Sequence, residues 1–126
     1  MLAHKDLIAF IATTRPEQAR VFYHEVLGLR LREDTPYALV FDAHGTMLRV
    51  QKVQTLSPVG HTVLGWQVVD MSEAVESLLK QGVIFQRYPG LAQDELGIWT
   101  TPDGNKIAWF TDPDGNTLSL TDLRHD

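Results

Sequence analysis

Arg49 is the side chain in this sequence best equipped to hold an anion. Its planar guanidinium presents paired donors that match a carboxylate or phosphate at two points. It stands in the alternating run Met47-Leu48-Arg49-Val50-Gln51, which gives a strand one apolar and one polar face. The bland alternatives are an ion pair within the chain or a solvated rim position, because arginine is rarely buried without a partner. Gln51, Gln67 and Ser119 supply neutral groups that could orient a bound molecule, or equally satisfy the backbone or one another. Trp99 is a candidate pocket wall, whereas Trp66 and Trp109 read as core packing, the commoner fate of tryptophan. Tyr37 and Tyr88 stand beside proline-bearing turns and read as rim residues.

The histidines show no two-ligand helical spacing. His24 on a helix, His44 in a turn and His125 in the tail read as solvated. His4 and His61 each precede an apolar strand, with Asp6 nearby, so a metal site between these two histidines is an alternative to no metal at all. No Ser-His-Asp or paired-carboxylate arrangement stands out.

The elements that must position these groups come in two copies. Residues 109–120, WFTDPDGNTLSL, read as strand, tight turn, strand: Asp and Pro suit the start of the turn and Gly its end. Asp42, Gly45, Leu48 and Val50 repeat Asp112, Gly115, Leu118 and Leu120 about 70 residues earlier, which suggests a duplicated unit. Residues 7–12 are continuously apolar and predict a strand buried on both faces. Thr14 and Glu17 have capping-box spacing before a helix whose Ala19, Phe22 and Val26 would face a sheet, with Gly28 as its stop. Residues 29–32, 38–41 and 47–52 then read as strands. The second copy runs from a strand at 63–69, through Asp70 and Glu73 as N-cap and partner, to Val75 and Leu78 on the buried helix face and Gly82 as stop. Strands at 83–87, 106–111 and 117–121 complete it. The first module covers about residues 5–53 and the second about 61–122. An insertion at about 88–105 reads as a mobile loop plus an extra hairpin. The tail after Asp122 is expected to be poorly ordered.

At 126 residues and 44% apolar content the chain supports one domain with a real core. A net charge of −5 disfavours a nucleic-acid surface, and scattered Lys and Arg give no polybasic membrane patch. Without cysteine, thiolate metal sites, disulfides and cysteine nucleophiles are excluded. No apolar run approaches the ~20 residues of a membrane span and no signal-peptide pattern opens the chain, so a soluble cytoplasmic domain is expected.

Two tandem β-α-β-β-β units, with FYHEVLGL from Phe22 and FTDPDGN from Phe110, resemble the vicinal-oxygen-chelate superfamily of glyoxalases, bleomycin-resistance proteins and extradiol dioxygenases. The resemblance covers nearly the whole chain. It implies an α+β fold in which the tandem modules form a cupped, half-open barrel with helices outside, a pocket in the cup, and a homodimer. Metal-using members take His, Gln or Glu ligands from the first and last strand of each unit. Those positions fall here on Ile8, Arg49, Val63 and Ser119, or on Leu7, Leu48, Leu64 and Leu118 if the register slips by one. Neither set can hold a divalent metal, since aliphatic groups offer no donor and Arg49 places a cation there.

Met47, Arg49, Gln51, Thr117, Ser119 and Thr121 are expected to line the cup, with Val63, Gly65 and Gln67. The expected function is metal-independent binding of a small polar or anionic molecule by Arg49, Gln51, Gln67, Ser119 and Trp99. The alternatives are a glyoxalase- or dioxygenase-type enzyme with a displaced metal at His4 and His61 or metal-free acid–base chemistry, and a partner module with a filled cup. If Arg49 is inside, an anion or an acidic side chain is expected beside it, because an unpaired buried charge costs several kcal/mol.

Overall fold

Each half of the chain builds the same four-stranded mixed sheet, and each half does so from its own residues. The computed structural model describes residues 1–124, in two units, Met1–Ser57 and a second that begins at Pro58. In the first, β1 (Ile8–Thr13), β2 (Arg30–Asp34), β3 (Ala38–Ala43) and β4 (Thr46–Lys52) lie in the order β1-β4-β3-β2. In the second, β5 (Leu64–Gln67), β6 (Trp99–Thr100), β7 (Lys106–Thr111) and β8 (Thr117–Asp122) lie in the order β5-β8-β7-β6. The first and last strands of each sheet are parallel neighbours, and the remaining pairs are antiparallel. With one helical crossover per unit, this is the expected α+β arrangement of tandem β-α-β-β-β modules.

The apolar face predicted for the last strands is enclosed: Leu48, Val50, Leu118 and Leu120 are buried, at 1%, 0%, 0% and 5% exposure. Burial alternates along β4 but not along β8, where Thr117 and Ser119 on the other face are buried too. The first strand differs from expectation. Ile11 and Thr13 are buried, but Ile8 and Phe10 on the other face are 45% and 52% exposed, so this apolar run is buried on one face only. A continuous apolar run carries no periodicity from which to tell one covered face from two.

The first helix also departs from its pattern. α1 (Pro16–Arg20) starts from Arg15 rather than Thr14, without a side-chain capping bond, and Arg15 N–H donates instead to Thr13 Oγ1 at 3.0 Å. It continues as a π-helical turn, Val21–Val26, in which Leu27 N–H reaches back to Phe22 O. Tyr23 rather than Phe22 is wholly enclosed, four residues after the buried Ala19, its ring 5.8 Å from that of Phe41. The second helix, α2 (Met71–Lys80), follows its sequence closely. Asp70 accepts from Glu73 N–H at 3.2 Å, and Met71 and Val75 are buried. Gly82, at φ +90°, donates to Leu79 O while Val83 N–H reaches Leu78 O, a pairing that closes the helix end.

Residues 83–87 do not form the expected strand; a single bridge joins Phe85 to Phe110. The fourth place in the second sheet goes to β6, a two-residue strand inside the insertion. The hairpin read there as extra therefore completes the sheet. β8 runs to Asp122, and Arg124 N–H donates to Asn105 Oδ1 at 2.8 Å, which ties down the start of the tail. The remainder of that expectation, with His125, lies outside the described residues.

Candidate functional site

In the first unit the parallel pairing sets Phe10 beside Arg49, with Val40 on the other side of Arg49. These side chains share the face opposite the buried leucines. Arg49 is therefore where alternation placed it, but its first-strand neighbour is Phe10 rather than Ile8, which pairs with Met47. Arg49 is half-buried, and its side chain makes no ion pair or hydrogen bond among the described residues. The acidic side chain expected beside it is absent there. Two other cations of this unit are engaged. Arg20 Nη2 donates to Glu17 Oε2 at 2.9 Å, and that bond raises the guanidinium pKa above its usual value. Lys52 Nζ binds Asp34 Oδ1 at 2.6 Å and Thr35 O at 2.7 Å. Gln51 follows Arg49 on the same face and is exposed. Toward the β3–β4 turn the face dips into a cavity of about 400 Å³, floored by Ile8, Val40 and Met47 and edged by Arg32, Glu33 and Asp42. That volume is within the range of small-molecule pockets.

In the second unit the corresponding face is uncharged. Gly65 pairs with Ser119, Trp109 flanks Ser119 on the other side, and Gln67 pairs with Thr121. Again the first-strand neighbour of the last-strand position lies two residues beyond the one expected, Gly65 instead of Val63. An added Cβ at Gly65 would stand 2.9 Å from Ser119 Oγ, so glycine is what lets the serine lie flat against β5. Trp109 and Trp99 are near-parallel, with ring centroids 6.1 Å apart and planes at 27°, and Tyr88 stands edge-on to Trp109 at 5.3 Å. Sequence reading assigned Trp109 to the core and Tyr88 to a rim. Both instead join Trp99 in one aromatic group on this face. Register was the signal that could have shown it, because Trp109 has the parity of Ile107 and Thr111 rather than that of the buried Ala108 and Phe110.

The insertion is braced. Gln93 Nε2 donates to Gln86 O and Gly97 O, both at 2.9 Å, and its Oε1 accepts from Tyr88 N–H at 2.7 Å. Asp94 Oδ1 accepts from the Leu96 and Ile98 amides, and Ile98 is 5% exposed. Such dense internal bonding is the opposite of what an unattached lid would show.

His4, His24, His44 and His61 are exposed, and His24 Nδ1 lies 2.8 Å from Leu29 O. Among the described residues no three His, Asp or Glu side chains converge to hold a metal ion. No described helix is long and apolar enough to cross a membrane.

The family model of the Glyoxalase/Bleomycin resistance protein/Dioxygenase superfamily matches residues 6–120. The chain belongs to this superfamily. Among solved structures it is similar to a superfamily member from Sphaerobacter thermophilus DSM 20745, at 24% identity and TM-score 0.75, over 98% of this chain and 100% of that one. It is similar to TnmS3, an antibiotic binding protein from Streptomyces sp. CB03234, at 24% identity and TM-score 0.74, covering 98% and 99%. It is also similar to a lactoylglutathione lyase from Agrobacterium tumefaciens, at 14% identity and TM-score 0.72, covering 95% of each chain. At these identities the likeness is one of fold. No curated protein matches the chain.

Within the superfamily, first- and last-strand positions carry the metal in members that use one. Here Ile8 and Phe10 offer no donor atom, Gly65 and Val63 offer no side-chain ligand, Arg49 is a cation, and Ser119 supplies one weak hydroxyl. This donor set does not fit a divalent metal, which needs several N or O ligands at ~2.0–2.6 Å.

Proposed function

We propose that this chain binds a small anionic molecule without a metal, and that Arg49 is the anchor. The observation that carries this reading is a half-buried arginine whose guanidinium has no acidic partner among the described residues, in a strand position flanked by the apolar Phe10 and Val40. Partial exclusion of water strengthens a charge-assisted bond, and the fork geometry favours a carboxylate or phosphate. Gln51 on the same face offers a neutral second contact. The cavity beside Met47 gives room for the uncharged part of the molecule. TnmS3, an antibiotic binding protein of similar fold, is a precedent for binding as a function.

Calorimetric titration with benzoate and with inorganic phosphate tests the anchor. Arg49→Met is expected to leave the fold intact and weaken binding of whichever anion binds by about 1.5–3 kcal/mol, the range for a hydrogen bond to a charged group. Equal affinity in the variant would remove Arg49 from the site. Metal analysis of protein purified from zinc-, nickel- and iron-supplemented cells is expected to find substoichiometric metal; one equivalent would overturn the metal-free reading. We also propose a homodimer, supported by the exposure of Leu7, Ile8 and Phe10 at 75%, 45% and 52%. Light scattering on the purified chain should give twice the monomer mass, and a monomer at every concentration would refute it.

A further inference from the structure

We propose that Asp103 is a site of covalent self-modification, in which its side chain condenses with the Gly104 backbone nitrogen to a succinimide that opens to isoaspartate, with Thr101 positioning the reacting groups. The isoaspartyl carboxylate is the chemical class esterified by protein carboxyl methyltransferases that use S-adenosylmethionine. The anion reading concerns the first unit and is independent of this site.

The sequence sets Asp before Gly twice, at Asp103–Gly104 and Asp114–Gly115, each inside a Pro-Asp-Gly-Asn turn. Glycine leaves the attacking nitrogen unscreened by a side chain. The two turns share a backbone. Gly104 N–H donates to Thr101 O and Gly115 N–H to Asp112 O, both at 2.9 Å, and the glycines have φ of +95° and +88°. What differs is the residue that opens each turn. Thr101 has a hydroxyl proton to give: Oγ1 donates to Asp103 Oδ1 while it accepts from Asn105 N–H at 2.9 Å. The carboxyl group and the nitrogen that attacks it are thus both bonded to Thr101, which gathers the reacting groups. Asp112 has no proton to give. Its carboxylate accepts from Asp114 N–H and Asn116 N–H, and like charge repels the Asp114 carboxylate.

The second support is the cost of opening. Condensation requires the glycine amide to leave its hydrogen bond and the aspartate backbone to rotate. On one side the first turn is held by β6 alone, the pair Trp99 and Thr100, and Asp103 is exposed. The second turn joins the six-residue strands β7 and β8, and its Asp112 is 5% exposed. Short exposed ladders open at lower free energy than core ladders.

The chemistry balances without a co-reactant. The Gly104 nitrogen adds to Cγ of the protonated carboxyl group, and a carboxyl oxygen leaves as water with the amide proton. A second water then opens the ring. Cleavage at the α-carbonyl gives isoaspartate, and cleavage at the β-carbonyl restores aspartate. Isoaspartate lengthens the backbone of a turn that Thr101 N–H closes onto Asn105 O at 2.7 Å, and Asn105 Oδ1 also holds Arg124 N–H at 2.8 Å. Modification therefore loosens β6 and the segment after β8 together.

The whole protein, held at neutral pH and physiological temperature, is mapped by peptide mass spectrometry with electron-transfer fragmentation. Methyl transfer from labelled S-adenosylmethionine counts the product. Isoaspartate is expected to accumulate at residue 103 at least about tenfold faster than at residue 114. In urea-unfolded protein the two near-identical sequences should react at equal rates. Thr101→Ser keeps the hydroxyl and should keep the rate. Thr101→Asp copies the second turn and should slow residue 103 at least about threefold, with residue 114 unchanged. Near-ultraviolet circular dichroism confirms that each variant is folded. The proposal fails if residue 103 stays unmodified, if both sites react equally in the folded chain, or if unfolding leaves their ratio unchanged. A folded Thr101→Asp that reacts as fast as wild type also overturns it. If that variant does not fold, the comparison of the two sites in folded and unfolded wild type decides alone.

Discussion

Phe10 beside Arg49 in the first unit, and Gly65 beside Ser119 in the second, occupy the same pair of lattice points. One unit fills them with a large ring and a cation, the other with a bare glycine and a single hydroxyl. On the opposite face the units have hardly diverged: Leu48 matches Leu118 and Val50 matches Leu120, all enclosed. The contrast shows where a duplicated sheet is free to change. A helix-facing position must fill a fixed volume without polar atoms, so few residues serve. An open-face position is constrained only by what it meets, and there each unit has acquired its own chemistry.

The turns after β3 and β7 make a sharper comparison, because the sequence echo equates them and the structure does not. Asp42 sits within β3, opposite Met47, and its carboxylate accepts one bond, from Gly45 N–H at 3.0 Å. The pair in the second sheet that answers to Asp42 and Met47 is Thr111 and Thr117, which puts Asp112 one residue farther out, in a longer turn. There, at 5% exposure, it accepts from Asp114 N–H, Asn116 N–H and Asn116 Nδ2 at 3.0, 2.9 and 2.8 Å. Asp112→Ala would remove the buried carboxylate that accepts all three of these bonds and should cost about 2–4 kcal/mol. Asp42→Ala exposes its donor to water and should cost about 0.5–1.5 kcal/mol. Urea denaturation of the two variants measures the gap, and equal losses would mean that the two turns are energetically one motif after all.

What the sequence revealed follows from how local each signal is. The Asp70 cap and the Gly82 stop were legible because a side chain or a missing Cβ acts within a few residues. Leu48, Val50, Leu118 and Leu120 were legible because one buried face imposes period two. Tyr23 was not, since Phe22 and Tyr23 are adjacent aromatics at equally helical distances from Ala19, and which of them is enclosed depends on distant Phe41. Nor was β6 visible in the insertion, because Trp99 and Thr100 are too few to show a period. Of the candidate site, alternation placed Arg49, Gln51, Gln67 and Ser119 on the open faces. It could not show that Arg49 makes no ion pair among the described residues, or that Trp99, Trp109 and Tyr88 meet, since both facts depend on residues distant in sequence.

The lattice points themselves can be exchanged. Gly65→Ala places a Cβ 2.9 Å from Ser119 Oγ and 3.2 Å from Ser119 O. The hydroxyl can rotate away but the carbonyl belongs to the β5–β8 ladder, so the strands must separate slightly. Overpacking of this kind should cost about 1–3 kcal/mol. Gly65→Ala combined with Ser119→Ala should recover only the part due to the hydroxyl, which thermal melts of the single and double variants would resolve. Full recovery would show that the backbone contact is harmless.

Phe10→Ala should have the smallest effect on folding. The ring is 52% exposed, and the helix-facing side of β1 is held by Ile11 and Thr13, at 6% and 0%. Truncation therefore opens no cavity and should change stability by less than about 1 kcal/mol in dilute protein. The same substitution removes the apolar flank of Arg49, so anion affinity should fall although no charge is lost, because the guanidinium becomes better hydrated. It also separates two reasons for leaving a phenylalanine on a surface. If Phe10 serves only the ligand, the loss of stability is independent of protein concentration. If it also lies in a subunit interface, the loss grows with concentration, since the wild-type chain then gains stability by association and the variant does not. Melts at two concentrations a hundredfold apart decide between them. A loss above about 3 kcal/mol at the lower concentration would contradict the exposure of this ring and, with it, the contrast between Phe10 and Gly65.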